Sequence, residues 1–128
     1  MESNELLTLP IEAIKTFAGG HDKIIAVYVF GSFATGKNRA KSDVDVAIMI
    51  QGTMDGFERI DLETRLSNLL GCDADLVVFG QASPLLQHQI LKYGVLVYEK
   101  DSKERVRQEV RSRYAYLDSL FLFKEIYT

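Results

Sequence analysis

The chain has 128 residues, a formal net charge of −3 at pH 7, 47% hydrophobic residues and 26% charged residues. That is enough to bury one core without disulfides and too regular a composition for disorder, so one domain over residues 1–128 is expected. The acidic balance argues against broad nucleic-acid binding through phosphate neutralisation, and no apolar run approaches the length of a membrane span.

The opening Met-Glu-Ser-Asn-Glu has neither the basic region nor the apolar core of a secretion signal, so a cytoplasmic location is expected. Cys72 stands alone, which rules out an intramolecular disulfide, and it reads as a small buried hydrophobe. Pro10 suits a first helical turn, and Ile11, Ile14, Phe17 and Ala18 recur at helical spacing until Gly19-Gly20. Residues 24–30, Ile-Ile-Ala-Val-Tyr-Val-Phe, form a continuous apolar run, as in a strand covered on both faces. Residues 32–36 read as one helical turn and 37–41 as a basic loop with Lys37, Arg39 and Lys41. A second buried strand occupies residues 44–50.

Asp55 and Glu58 have the spacing of a capping box for a helix reaching Leu70, with Leu62, Leu66, Leu69 and Leu70 as its core face and Gly71 as its stop. Residues 72–79 read as a third strand, parallel in character to the second. Ser83-Pro84 then caps a helix with Leu85, Leu86, Gln89, Ile90 and Tyr93 along one side. His88 falls off that stripe, and neither it nor His21 has a companion at ligand spacing, so both read as surface residues. Val95-Leu96-Val97-Tyr98 is a short last strand. A helix from about residue 101 to 127 is expected to carry Val106, Val110, Tyr114, Leu117 and Phe121 inward. Its apolar end is too hydrophobic for a loose tail and either packs back or serves as an interface, with a partner or in a homo-oligomer.

The chemistry concentrates in residues 31–45, Gly-Ser-Phe-Ala-Thr-Gly-Lys-Asn-Arg-Ala-Lys-Ser-Asp-Val-Asp. Gly31 permits a sharp turn and a close backbone approach to a ligand, and Ser32 offers a hydroxyl and an amide where anions bind well. Asp43 and Asp45, two apart at a strand start, leave on one face about 7 Å apart along the chain. Paired carboxylates there suit Mg²⁺, which takes oxygen ligands and accompanies nucleotide phosphates. Lys37, Arg39 and Lys41 lie beside the expected phosphates, and Ser42 can cap the local backbone or orient Asp43.

The pattern Gly31-Ser32, ten residues, Asp43-x-Asp45 resembles the signature of the nucleotidyltransferase superfamily related to DNA polymerase β. The resemblance extends over the chain, through Ala74-Asp75-Leu76-Val77, Ser83-Pro84-Leu85 and Gly94-Val95-Leu96-Val97-Tyr98, to the minimal nucleotidyltransferases. It implies an α/β (α+β) nucleotidyltransferase fold, a mixed four- to five-stranded sheet flanked by helices with the active site on one face. It also implies that Asp75, directly before an apolar run, is the third carboxylate of a site for two Mg²⁺ ions, with Asp73 as the substitute, and that ATP is the substrate. Relatives of this kind are often antitoxins of HEPN-domain ribonuclease toxins, and some transfer AMP to a toxin tyrosine. That activity, a protein adenylyltransferase with a HEPN-domain toxin as partner, is the leading expectation. Thr35 and Lys37 depart from the family pattern, where arginine and an acidic residue are common, and bear on nucleotide or partner preference. The alternatives are an aminoglycoside-type small-molecule adenylyltransferase, for which 128 residues leave little room, and an antitoxin that acts by binding alone.

Overall fold

A computed structural model describes residues 2–31 and 44–127. The expected turn at 32–36 and the basic loop at 37–41 lie outside the described residues.

The first helix, α1, spans Glu2–Gly19. It starts eight residues ahead of Pro10, which is therefore interior and not in the first turn; Glu2, Glu5, Leu6 and Leu7 are strong helix formers and extend the helix past the proline. Strands β1 (Ile24–Phe30) and β2 (Val44–Ile50) are buried almost throughout, as their unbroken apolar runs predict. Helix α2 (Gly56–Leu70) follows. Asp55 is its N-cap and accepts from the Glu58 amide at 2.8 Å, while Gly71 closes it in the left-handed region at φ 72°. The capping box is only half made. The Glu58 carboxylate turns to the Lys23 ammonium at 3.0 Å instead of reaching back to the cap.

Strand β3 (Ala74–Val78) leads through a short 3₁₀ turn, Phe79–Gln81, into helix α3 (Pro84–Tyr93), capped by Ser83 with Pro84 in its first turn. Strand β4 (Val95–Glu99) and the long helix α4 (Ser102–Tyr127) complete the described chain. The sheet has four strands in the order β3-β2-β1-β4, with β2 and β3 parallel and the other two pairs antiparallel. The parallel pair is bridged by α2, as such a crossover requires.

Alternation along the strands divides the interior into two layers. Val44, Val46, Ile48, Ala74, Leu76 and Val78 face Ile14 and Ala18 of α1 and Leu62 and Leu66 of α2. Ala26, Tyr28, Ala47 and Met49 face the other way, onto Phe79 and Ile90. Helices therefore cover both faces.

Several sequence expectations are corrected here. Cys72 is exposed, because it sits in the turn after Gly71 and ahead of β3. Leu69 is exposed, and on α3 the inward residues are Leu86, Gln87, Ile90 and Leu91, while Leu85, Gln89 and Tyr93 point out. Gln87 is buried because its amide donates to the carbonyls of Phe79 at 2.8 Å and Ala82 at 3.1 Å, holding the 3₁₀ turn. His88 is half-buried, its ring stacked on Tyr116 at 3.8 Å.

The largest correction concerns α4. Val106, Val110, Tyr114, Leu117 and Phe121 face solvent, between 41% and 66% exposed, and are not core residues. The packed face is the polar one. Tyr28 donates to Glu109 at 2.7 Å, Arg105 bridges Glu99 and Glu109, and the Gln108 amide donates to the Ile50 carbonyl at 3.0 Å.

Candidate active site

The end of β1 and the beginnings of β2 and β3 meet at one end of the sheet. There Asp45, on a central strand, stands opposite Phe30 of β1 on one side and in register with Asp75 of β3 on the other. Their neighbours Val44, Val46, Ala74 and Leu76 all point into the α1/α2 core. Alternation therefore sends both carboxylates to the opposite face, on adjacent strands about 5 Å apart. Asp45 is half-buried and Asp75 exposed.

Gly31 lies against this pair. Its φ is +74°, a conformation that side chains other than glycine rarely adopt, and a Cβ there would fall on the Asp45 carboxylate. The close approach expected at this glycine is thus made first to Asp45. Any residue larger than glycine displaces either the turn or the acid.

Asp75 is set from the other side by α2. Ser67 Oγ accepts from the Ala74 amide at 2.9 Å, Glu63 accepts from the Leu76 amide at 2.8 Å, and Arg59 donates to the Leu76 carbonyl at 3.2 Å while pairing with Glu63 at 3.3 Å. These side chains occupy the open edge of β3 on both sides of Asp75, satisfying backbone groups that an edge strand leaves unpaired. Sequence reasoning missed them. The signal was available: Arg59, Glu63 and Ser67 recur every four residues beside the apolar stripe of Leu62, Leu66 and Leu70.

Asp73 shares parity with Asp75 but precedes β3; its carbonyl accepts from the Val44 amide at 3.0 Å, and it is Asp75 that stands level with Asp45. Asp43, Ser32, Lys37, Arg39, Lys41 and Ser42 lie outside the described residues. Among the described residues no group of three acids, histidines or cysteines gathers as a metal cluster, and Asp43, the other member of the expected Asp43-x-Asp45 pair, is one of those outside. Two carboxylates held side by side repel unless a cation compensates them, and their oxygens are the donors that Mg²⁺ takes, so the donor set fits that metal. His21 lies elsewhere, 3.7 Å from Glu58 at the start of α2.

A glycine turn, a register-matched acid pair and a mixed sheet with helices on both faces coincide with a family pattern: residues 12–103 match the model of the polymerase beta nucleotidyltransferase domain. The chain belongs to that family. Over 81 residues it is 33% identical to the protein adenylyltransferase MntA of Shewanella oneidensis, a stretch covering 63% of this chain and 58% of MntA. The matched stretch is thus somewhat over half of that relative. A toxin–antitoxin crystal structure with AMP-PNP contains a chain that superposes with a TM-score of 0.81 at 25% identity, over 91% of this chain and 94% of that one. A chain in the complex of tri-AMPylated Shewanella oneidensis HEPN toxin with its MNT antitoxin superposes with a TM-score of 0.77, over 93% of each, at 23% identity, which bears on fold alone. No helix among the described residues is long and apolar enough to cross a membrane.

Proposed function

We propose that this protein transfers AMP from ATP to a hydroxyl of a protein, a tyrosine of a HEPN-domain toxin that it neutralises. The observation that carries the reading is the register pairing of Asp45 with Asp75 beside the positive-φ turn at Gly31. It is supported by the adenylyltransferase activity in MntA's name and by the structural match to a toxin–antitoxin chain crystallised with AMP-PNP.

In this reading Asp43, Asp45 and Asp75 would hold Mg²⁺, with Asp73 a substitute at the third position. When bound, Mg²⁺ lowers the pKa of an attacking hydroxyl and neutralises charge on departing pyrophosphate. The turn at Gly31 carries the backbone past Asp45 into Ser32, whose amide and hydroxyl would seat phosphate, and Lys37, Arg39, Lys41 and Ser42 would contribute further phosphate contacts. Asp75 is exposed and would assist in taking the proton of the incoming hydroxyl. The α2 side chains hold β3 and with it the spacing of Asp75 from Asp45, on which in-line transfer would depend.

The test is incubation of the purified chain with ATP, Mg²⁺ and a HEPN-domain toxin, followed by intact mass and peptide mapping. One or more AMP masses on a toxin tyrosine are expected. An aminoglycoside modified in place of the protein would sink the proposal, as would neutralisation with no mass gain on either chain.

A further inference from the structure

The reaction proposed above takes a tyrosine hydroxyl as acceptor, and this chain carries six tyrosines of its own. Their surroundings differ. Tyr28 is buried and donates to Glu109, Tyr116 is half-buried against His88, and Tyr98 is half-buried on β4. Among the described side chains two phenols are exposed: Tyr114, 66% exposed on the outward side of α4, and Tyr93, 59% exposed in the last turn of α3.

The end of α3 lies beside the carboxylates. A Cβ at Gly94 would stand 3.4 Å from that of Phe30, and Phe30 is the register partner of Asp45. Phe30 and Leu91 pack on the Ile90 cluster, which covers the sheet face to which Asp45 and Asp75 also turn. One residue step of about 3.8 Å and two lateral steps of about 5 Å put the Tyr93 backbone within roughly 14 Å of Asp45. That gap is shared between a tyrosine side chain and the phosphate it attacks.

The flank of the helix decides the direction. His88, Leu91 and Lys92 face α4, where they line a cavity with Ser112, Arg113 and Tyr116. Tyr93 follows them about 140° from His88 and about 200° from Leu91 around the helix, and so leaves on the opposite flank. Helix α4 is tied to Glu99 of β4 and Tyr28 of β1, so that opposite flank looks towards β2 and β3, the strands of Asp45 and Asp75. The Lys92 ammonium, 5.2 Å from the Tyr93 ring centroid, holds the ring at the helix end by a cation–π contact.

We infer that Tyr93 is an AMP acceptor within its own chain, so that the protein adenylylates itself in cis. The inference rests on the function proposed above for the chemistry and adds a second acceptor to it. The Tyr93 hydroxyl oxygen attacks the α-phosphorus of ATP. The new oxygen–phosphorus bond forms as the bond from the α-phosphorus to the bridging oxygen breaks, pyrophosphate leaves, and the phenol proton passes to the Asp75 carboxylate and then to solvent. A tethered acceptor needs no docking surface, since the fold already supplies its proximity.

Intact mass and peptide mapping test this on the full chain, incubated with ATP and Mg²⁺ first alone and then with a HEPN-domain toxin. One AMP mass on the chain alone is expected, mapped to Tyr93, lost in Tyr93→Phe and kept in Tyr114→Phe, with a fractional rate independent of chain concentration. A thermal melt of each variant verifies the fold. A gain that maps to another residue, that survives Tyr93→Phe, or whose fractional rate rises in proportion to chain concentration overturns the inference. The mass of the toxin separates the two proposals. AMP on the toxin with none on the chain removes self-transfer and keeps the proposed function; AMP on Tyr93 with none on the toxin does the reverse. No gain on either chain overturns both.

Discussion

Gly31 is the residue on which the site's geometry turns, because its missing Cβ is the space in which the Asp45 carboxylate rests. Gly31→Ala is expected to destabilise the protein by about 1–3 kcal/mol, since it combines a strained positive φ with displacement of a neighbouring acid, and to abolish most AMP transfer. Chemical denaturation and a transfer assay measure the two effects; an alanine variant with wild-type rate and stability would refute the assignment. Much of this site is legible in the sequence. A glycine closing an apolar run and an acid opening the next place the turn and Asp45, and parity alone puts Asp75 on the matching face. What the sequence withholds is register. Asp73 and Asp75 have the same parity, and only the pairing of β3 with β2 puts Asp75 level with Asp45. The clamp of Glu63 and Ser67 on β3 is hidden for a related reason, since polar residues beside a helix's apolar stripe usually face water. Glu63→Ala removes the acceptor for the Leu76 amide and is expected to lower kcat about tenfold with toxin affinity unchanged. Loss of affinity at constant kcat would point to a different role.

At the scale of elements, the apolar strands and the capped helices α2 and α3 follow from local chemistry: Asp55, Gly71, Ser83 and Pro84 all act at the ends of helices where their side chains or backbone suit them. Helix α4 does not follow. Its periodicity separates two faces but cannot say which one meets the sheet, and here the polar face does, through contacts such as Tyr28 to Glu109 between residues far apart in the chain. Burial, then the Glu109 carboxylate, push the pKa of the Tyr28 hydroxyl above its ordinary value near 10. The folded state therefore holds this proton more tightly than the unfolded chain. The stability so contributed is complete below about pH 10 and is lost as pH rises from there towards the folded pKa. Tyr28→Phe is expected to cost about 1 kcal/mol at pH 7, with the gap from wild type shrinking above pH 10 in urea titrations. A gap that stays constant to pH 11 would show that the hydroxyl is not what ties α4 to the sheet.

For the molecule as a whole, the acids gather at one end of the sheet, while an exposed apolar stripe runs along α4. Altering the acids is therefore expected to remove transfer while leaving the fold intact. The most direct test is the rate of AMP transfer by Asp45→Asn and Asp75→Asn at equal toxin occupancy, set by measured affinity. The account predicts transfer at least about 100-fold slower with toxin binding unchanged. Near-wild-type transfer by either variant, or full neutralisation of the toxin by variants that transfer nothing, would contradict it.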